Sequence, residues 1–127
     1  MRSWGLSLVL AACLLFTGCG ADSSVHTGAG AAHGKPTLDV KLTVTGNQVV
    51  VKVDTDMHIS AEHQGQERVQ GEGHIHMYLD NGEKVVVAQA EQTLKDVPVG
   101  KHTLKVSLHN NDHTPYDVTK SIDFEIK

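Results

Sequence analysis

Cysteine is nearly missing from this chain of 127 residues. Its 2 cysteines, Cys13 and Cys19, both lie near the beginning, so the rest of the chain contains no thiol. Disulfides, cysteine-ligated zinc, iron–sulfur clusters and cysteine nucleophiles are therefore excluded after Cys19. A domain built there must be held together by its own hydrophobic core.

A run long enough to span a membrane is also missing. The longest apolar segment, Leu6–Phe16, has about a dozen residues, whereas a spanning helix needs roughly 20. Basic Arg2, this segment and the small residues after it are typical of a secretory signal peptide. We predict this signal peptide at residues 1–18 and expect it to be absent from the mature protein.

The ending Phe16-Thr17-Gly18-Cys19 resembles the bacterial lipoprotein signal. Members of that class usually have Leu where this chain has Phe16, and their cysteine becomes a diacylated N-terminus. The resemblance implies that Cys19 carries diacylglycerol and palmitate and anchors the protein to the extracytoplasmic face of the cell membrane. Two acyl chains suffice for stable attachment. An ordinary signal peptide with an incidental cysteine is the alternative.

Positive charge is scarce as well. Without Arg2, the 11 basic residues become 10 against 15 acidic ones, a formal charge of −5, and Arg68 is the only arginine that remains. Such a chain has no basic patch to bind nucleic acid or anionic lipid head groups.

Catalytic patterns are missing too: there is no Ser-His-Asp arrangement, phosphate-binding loop or meaningful pair of carboxylates. We therefore expect that the protein is not an enzyme.

The segment of residues 19–36 is rich in Gly, Ala and Ser and has almost nothing that a core could bury. We predict a lipidated N-terminus followed by a flexible linker. His26 and His33 lie in this linker without partner residues, and we assign them no function. From Thr37 to Lys127 the chain has the ordinary size of one domain.

That domain shows no convincing helical period, but apolar and polar residues alternate along much of it, which indicates β-strands. Turn sequences such as Gly46-Asn47 and Asp80-Asn81-Gly82 separate the strands. The spacing predicts an all-β, immunoglobulin-like, seven-stranded antiparallel β-sandwich of Greek-key topology, with a Greek-key barrel as the nearest alternative. The predicted strands are Leu38–Val44, Val49–Val53, Gly71–Asp80, Lys84–Ala90, Thr93–Val97, Lys101–His109 and Ser121–Ile126.

The third predicted strand has the most distinctive pattern. Ile75, Met77 and Leu79 point to one face, which we expect to be core, whereas His74 and His76 point to the other. Residues two apart are separated by about 7 Å along a strand, so both imidazoles can reach one metal ion. His74 and His76 are therefore a candidate metal half-site.

Other histidines gather near the same end of the predicted sandwich. The third and sixth strands are antiparallel neighbours in such a fold, which brings His109 beside the start of the third strand on the same face. The loop after the sixth strand and the long loop at residues 55–73 emerge at this end. Long loops are usually functional or disordered. The predicted metal ligands are His74, His76, His109, His113, His58, His63, Asp112 and Met57, with Asp112 equally suited to stabilising its loop. His102, at the opposite end, is excluded.

The ligand types indicate which metal to expect. Several neutral imidazoles without a thiolate suit Cu(II) or Zn(II), and the affinity order of divalent metals favours copper. A nearby methionine would shift the preference toward Cu(I). Because imidazole binds metal only when it is neutral, binding should weaken as the pH falls through about 6.5.

The part of the chain from Gly73 onward resembles small extracytoplasmic immunoglobulin-like domains of bacteria, most of them uncharacterised. The shared features are His74-Ile75-His76, Leu79-Asp80, Pro98–Leu104 and Asp112-His113. Copper-resistance periplasmic domains are similar in their sandwich and in their His and Met ligands, but their ligand pattern at the mature N-terminus is absent here. Copper–zinc superoxide dismutases also have a His-x-His strand, although this chain has no disulfide pair.

These features lead to one function and one alternative. The leading interpretation is a lipid-anchored protein that binds copper or zinc outside the cytoplasm for buffering, delivery or sensing. A metal-donor or metal-acceptor protein would then be its partner. The alternative is a non-catalytic immunoglobulin-like structural or interaction module of the cell envelope, in which the histidines are surface residues.

Overall fold

Strands make up the regular structure of the described chain. The structure is a computed structural model that describes residues 34–127. The predicted signal peptide, Cys19 with its lipid, and the linker histidines His26 and His33 lie outside the described residues. Within residues 34–127, no helix is long and apolar enough to cross a membrane.

Residues 34–127 form eight strands in two sheets. The strands are β1 (Asp39–Thr45), β2 (Gln48–Asp54), β3 (His58–Ile59), β4 (Glu72–Leu79), β5 (Lys84–Val87), β6 (Glu91–Leu94), β7 (Gly100–His109) and β8 (Pro115–Ile126). One sheet has the order β1-β2-β6, and the other has the order β3-β4-β7-β8 with β5 also paired to β4. The pairs are antiparallel except that the short β3 runs parallel to β4.

The core lies between the two sheets. Val49, Val51 and Val53 alternate along β2 and are buried, as are Ile75 and Met77 on β4. The same cluster contains Leu104, Val106 and Leu108 of β7 and Ile126 of β8. Full burial of such a side chain stabilises the fold by about 1.5–3 kcal/mol relative to its exposure. The apolar faces of the two sheets thus meet in one core, which confirms the predicted immunoglobulin-like β-sandwich.

The fourth and fifth predicted strands have wrong boundaries. β5 ends at Val87 instead of Ala90, because it pairs with β4 only up to that residue. β6 covers Glu91–Leu94 instead of Thr93–Val97, since only these residues lie beside β2. The two-residue β3 was not predicted and lies inside the long loop before β4.

The last strand is longer than predicted, because β7 stays beside it along nearly its whole length. It begins at Pro115 instead of Ser121. A bulge opposite the end of β7 accommodates the extra residues, with Asp117 at φ 58. The alternation along the predicted last strand places Ile122 and Phe124 in the core, but both are half-buried, because β8 is an edge strand.

The turn after β4 lies in the predicted segment Asp80-Asn81-Gly82. Its central residues are Asp80 and Asn81, with φ 50 and 55. The Gly82 N–H donates to the Leu79 carbonyl at 2.8 Å and closes the turn. Two central residues of positive φ match the right-handed twist of the flanking strands.

Candidate metal centre

His74 and His76 lie on the face of β4 opposite the core, as the alternation predicts, yet both are buried, at 0% and 2% exposure. β4 is held between β5 and β7, and His109 of β7 lies directly opposite His74 in register. The rings of His109 and His113 pack against the two strand histidines. The predicted pairing of the third and sixth strands is therefore confirmed, and this packing fixes the positions of both buried imidazoles.

Three imidazole nitrogens converge beside β4. Nε2 of His74 lies 2.9 Å from Nε2 of His76 and 3.0 Å from Nδ1 of His113. The distance from Nδ1 of His113 to Nε2 of His76 is 3.5 Å. Within residues 34–127, these side chains form the single group of three or more His, Cys, Asp or Glu that could hold a metal ion.

A transition-metal ion fits among the three nitrogens. The point equidistant from them lies roughly 1.8 Å from each, slightly less than the about 2.0–2.1 Å of a Zn–N bond. An ion displaced a little from the plane of the nitrogens would reach normal bond lengths with the strand unchanged. Three protein ligands leave one position of a tetrahedral ion for water or another donor.

Burial keeps the two strand histidines neutral. It lowers the pKa of His74 to about 4 and that of His76 to about 3, and the neighbouring imidazoles further disfavour protonation. Neutral imidazole is the form that binds metal. At these two ligands, proton competition therefore begins at lower pH than the value of about 6.5 expected from an ordinary imidazole pKa.

Some buried ring nitrogens of the cluster lack a hydrogen-bond partner within residues 34–127, and a metal ion bound at Nε2 would leave the Nδ1–H groups of His74 and His76 unpaired as well. The Nδ1 atoms of His74 and His76 are buried and have no hydrogen-bond partner among the described residues. A neutral imidazole has one N–H. If the facing Nε2 atoms of His74 and His76 both carried the N–H proton, the two protons would repel each other. In every other neutral form of the metal-free cluster, at least one of the two rings carries its N–H at the buried Nδ1, where the described chain offers it no acceptor. An unpaired buried polar group costs about 1–3 kcal/mol.

His109 supports the cluster rather than joining it. Its Nδ1 lies 3.0 Å from the His113 carbonyl oxygen and must donate, because a carbonyl only accepts. Its Nε2 then accepts from the Ser107 hydroxyl at 3.0 Å, and its ring stacks on His76 with the centroids 3.6 Å apart. Burial lowers the pKa of His109. Because both nitrogens are engaged, this geometry does not support the predicted ligand role of His109.

The turn between β7 and β8 positions His113. The Asn110 N–H donates to the Thr114 carbonyl at 2.8 Å, and the His113 N–H donates to the Asn110 carbonyl at 3.0 Å. Asp112 accepts from the Thr114 N–H at 3.0 Å and from Arg68 Nε at 2.9 Å. His113 has φ 67, a left-handed conformation in which histidine is found more often than most residues. The backbone of the turn is therefore held in place, while the His113 side chain is exposed.

The other four predicted ligands lie outside the cluster. Met57 is buried in the core at 4% exposure, so its thioether is not available to a metal at the surface of β4. His58 is exposed on β3. His63 uses Nδ1 to contact the carboxylate of Glu72. Asp112 has both carboxylate oxygens engaged, in agreement with the alternative that it stabilises its loop.

Three residues that the sequence did not single out shape the site. A Cβ on Gly73 would lie 1.9 Å from the His109 carbonyl oxygen, so glycine is required for the close approach of β4 and β7. Glu72 accepts from Asn111 Nδ2 at 3.0 Å and contacts His63, which ties the long loop to the turn after β7. The hydrogen bonds from His63 and Asn111 lower the pKa of the Glu72 carboxyl. In the sequence, only Gly71 and Gly73 on either side of Glu72 indicated that the backbone packs closely here.

His102 lies at the opposite end of β7, as predicted. Its Nδ1 is 2.6 Å from the Asp80 carboxylate, and its Nε2 is 2.7 Å from the Pro98 carbonyl oxygen. Both oxygens accept, so the ring can donate to both of them only in its protonated form. The hydrogen bond to Asp80 raises the pKa of His102. A doubly protonated ring has no lone pair for a metal.

Comparison with known proteins concerns the fold. No family model and no curated protein matches the chain. The chain is similar in structure to the PKD1 domain of Vibrio anguillarum Epp, with 13% identity, a TM-score of 0.48, and coverage of 72% of this chain and 93% of that chain. It is also similar to the PKD1 domain of the Vibrio cholerae metalloprotease PrtV, with 14% identity, a TM-score of 0.47, and coverage of 72% and 95%. Neither likeness carries information about function.

Proposed function

We propose that this protein binds a transition-metal ion through His74, His76 and His113. The support is the convergence of their three ring nitrogens at 2.9, 3.0 and 3.5 Å. Hydrogen bonds alone leave lone pairs of the cluster facing one another, because each neutral imidazole has only one N–H to donate. A bound cation turns the same lone pairs into a set of ligands.

Copper is the metal that we propose first, and zinc is the second. A set of imidazole ligands without thiolate suits both ions, and Cu(II) binds more tightly than Zn(II) to a given set of nitrogen donors. The buried thioether of Met57 lies in the core, so nothing at the cluster favours Cu(I) in particular. A site with three protein ligands and one open position also suits zinc.

We also propose that the domain works at the outer face of the cell membrane, held by lipid on Cys19 and by the linker after it. The support is the sequence of the leader and the linker. A lipid-anchored metal site suits buffering, delivery or sensing, with a metal-donor or metal-acceptor protein as partner. Replacing Cys19→Ala should release the protein from the membrane fraction, and retention of the variant in that fraction would contradict the anchor.

A titration of the purified protein, without an affinity tag, with Cu(II) and with Zn(II) near neutral pH tests the metal site. We expect the His113→Asn variant to lose at least about tenfold in affinity, roughly 1.4 kcal/mol. Asparagine is chosen because it tolerates the left-handed backbone conformation of this position. His58→Asn is the matched control, since His58 is an exposed histidine outside the cluster, and it should bind as the unmodified protein does.

A second variant, His76→Gln, removes a buried ligand, and circular dichroism checks that it remains folded. If the unmodified protein binds neither metal, or if both cluster variants bind as tightly as it does, the metal proposal is refuted. The alternative, an immunoglobulin-like structural or interaction module of the cell envelope, would then be the better account.

A further inference from the structure

We infer that the metal leaves this site by associative ligand exchange, in which a donor from an acceptor binds the open fourth position and displaces His113 first. The inference rests on the proposed function and describes how the same site passes its ion to a partner. The incoming donor contributes its lone pair to the metal, and Nδ1 of His113 takes back its own. Neither the metal nor the protein changes oxidation state.

The three ligands differ in how firmly they are held. His74 and His76 are buried and packed against the His109 ring, so their rings cannot turn away without displacing neighbouring side chains. His113 is exposed on the turn between β7 and β8. Exposed side chains change rotamer within picoseconds to nanoseconds. Of the three ligands, only His113 can therefore leave the metal by side-chain rotation alone.

The turn itself need not open during the exchange. Its backbone is held by the hydrogen bonds between Asn110 and Thr114 and by the His109 ring, which donates to the His113 carbonyl at 3.0 Å. These contacts involve the backbone of His113 and leave its imidazole free to rotate. The protein therefore adds no slow conformational step before the metal is released.

The packing also determines the side from which a donor approaches. The hydrophobic core lies behind β4, and the His109 ring stacks on His76 with the centroids 3.6 Å apart. The solvent-facing side of the cluster is the side of His113. An ion with three protein ligands keeps one position for an outside ligand. An incoming donor can therefore bind the metal before any protein ligand has left.

The surroundings of the buried ligands favour reversible binding. In many metal sites the second ring nitrogen of each histidine donates to a carboxylate or a carbonyl, and loss of such a partner costs about 10–100-fold in affinity. Among residues 34–127, no group accepts from Nδ1 of His74 or His76. The two buried imidazoles that bind the metal are thus held in position by packing but lack hydrogen-bond acceptors at Nδ1 within this part of the chain. The resulting lower affinity suits a site that passes its ion on.

The acceptor must offer an unprotonated donor small enough to reach the metal beside His113. Imidazole, thioether and thiolate groups on an acceptor protein meet this requirement, since these groups bind copper. Free histidine reproduces the imidazole donor without a protein surface. It is therefore the probe that we use for the chemistry of exchange.

Stopped-flow mixing of the Cu(II)-loaded protein with excess free histidine tests the inference through the loss of the copper absorption band. Associative exchange predicts that the rate constant rises about tenfold for a tenfold increase in histidine, as a bimolecular step requires. A rate that does not depend on histidine concentration would mean that the metal dissociates by itself, and it would overturn the inference.

Two variants locate the ligand that leaves first. His113→Asn, loaded at a copper concentration above its dissociation constant, should release copper several-fold faster, because the first displacement has already taken place. His58→Asn should release it at the rate of the unmodified protein. Equal rates in all three proteins would contradict the role of His113. If the unmodified protein binds neither copper nor zinc in the titration, the proposed function itself is refuted. If it binds copper but releases it at a rate that does not depend on histidine concentration, only the associative mechanism of exchange is refuted.

Discussion

Acid should destabilise the metal-free protein through its two buried histidines. An imidazole in the unfolded chain has a pKa of about 6.5, whereas burial lowers the pKa to about 4 at His74 and about 3 at His76. Below about pH 6.5 the unfolded state therefore binds more protons than the folded state, and the free energy of unfolding rises with pH. The contribution of these rings is fully present above that pH and is lost as the pH falls toward their folded pKa values.

The expected loss is large compared with the stability of an ordinary domain. Each pH unit in which only the unfolded imidazole is protonated costs about 1.4 kcal/mol per ring. Between about pH 6.5 and pH 5 the two rings together should lose about 3 kcal/mol, because the unfolded imidazoles are only half protonated at pH 6.5. Native domains have about 5–15 kcal/mol in total. A metal ion bound to the cluster should move this loss to lower pH, because the ion competes with protons for the same nitrogens.

Urea titrations of the chelator-treated protein, from neutral pH down to about pH 4.5, measure this dependence. His76→Gln removes one of the buried titrating rings, so its free energy of unfolding should change less steeply with pH. His58→Asn should keep the profile of the unmodified protein, because His58 is exposed. If His76→Gln had the same pH dependence as the unmodified protein, other groups would be responsible and the reasoning would be refuted.

Three further predictions concern the metal, a glycine and the opposite end of β7. Copper or zinc at a hundredfold excess over the dissociation constant should raise the free energy of unfolding by about 2.7 kcal/mol, and an unchanged urea midpoint would contradict binding. Gly73→Ala should lower the melting temperature and weaken copper binding, because its Cβ would lie 1.9 Å from the His109 carbonyl oxygen. His102→Asn should lower the free energy of unfolding slightly near pH 6 and less at alkaline pH. The pKa of His102 is raised by its pairing with Asp80, so this pairing stabilises the unmodified protein at low pH and is lost as the pH rises through that pKa. Urea titrations measure the free energy of unfolding of both proteins at the two pH values. A difference between them that is the same at both pH values would contradict this prediction.

Periodicity predicted much of the sandwich, because successive side chains of a strand point to opposite faces. The alternation of Ile75 and Met77 with His74 and His76 is enough to separate the core face of β4 from the face that bears the cluster. The immunoglobulin-like order of strands also predicted that His109 lies opposite the start of β4. Strand ends were less predictable, because they depend on how far a neighbouring strand continues.

The sequence by itself determined the seven main strands, though not all of their ends, as well as the core faces and the position of the His-x-His pair, since these follow from local alternation and turn residues. Only the tertiary structure decided which imidazoles meet. Gly65 donates to the Asn111 carbonyl at 2.7 Å, so the conformation of the long loop depends on a segment far away in the sequence. His113 reaches the cluster, whereas His63 contacts Glu72. Such contacts have no period in the sequence, because they join loops whose conformations depend on each other rather than on their own residues.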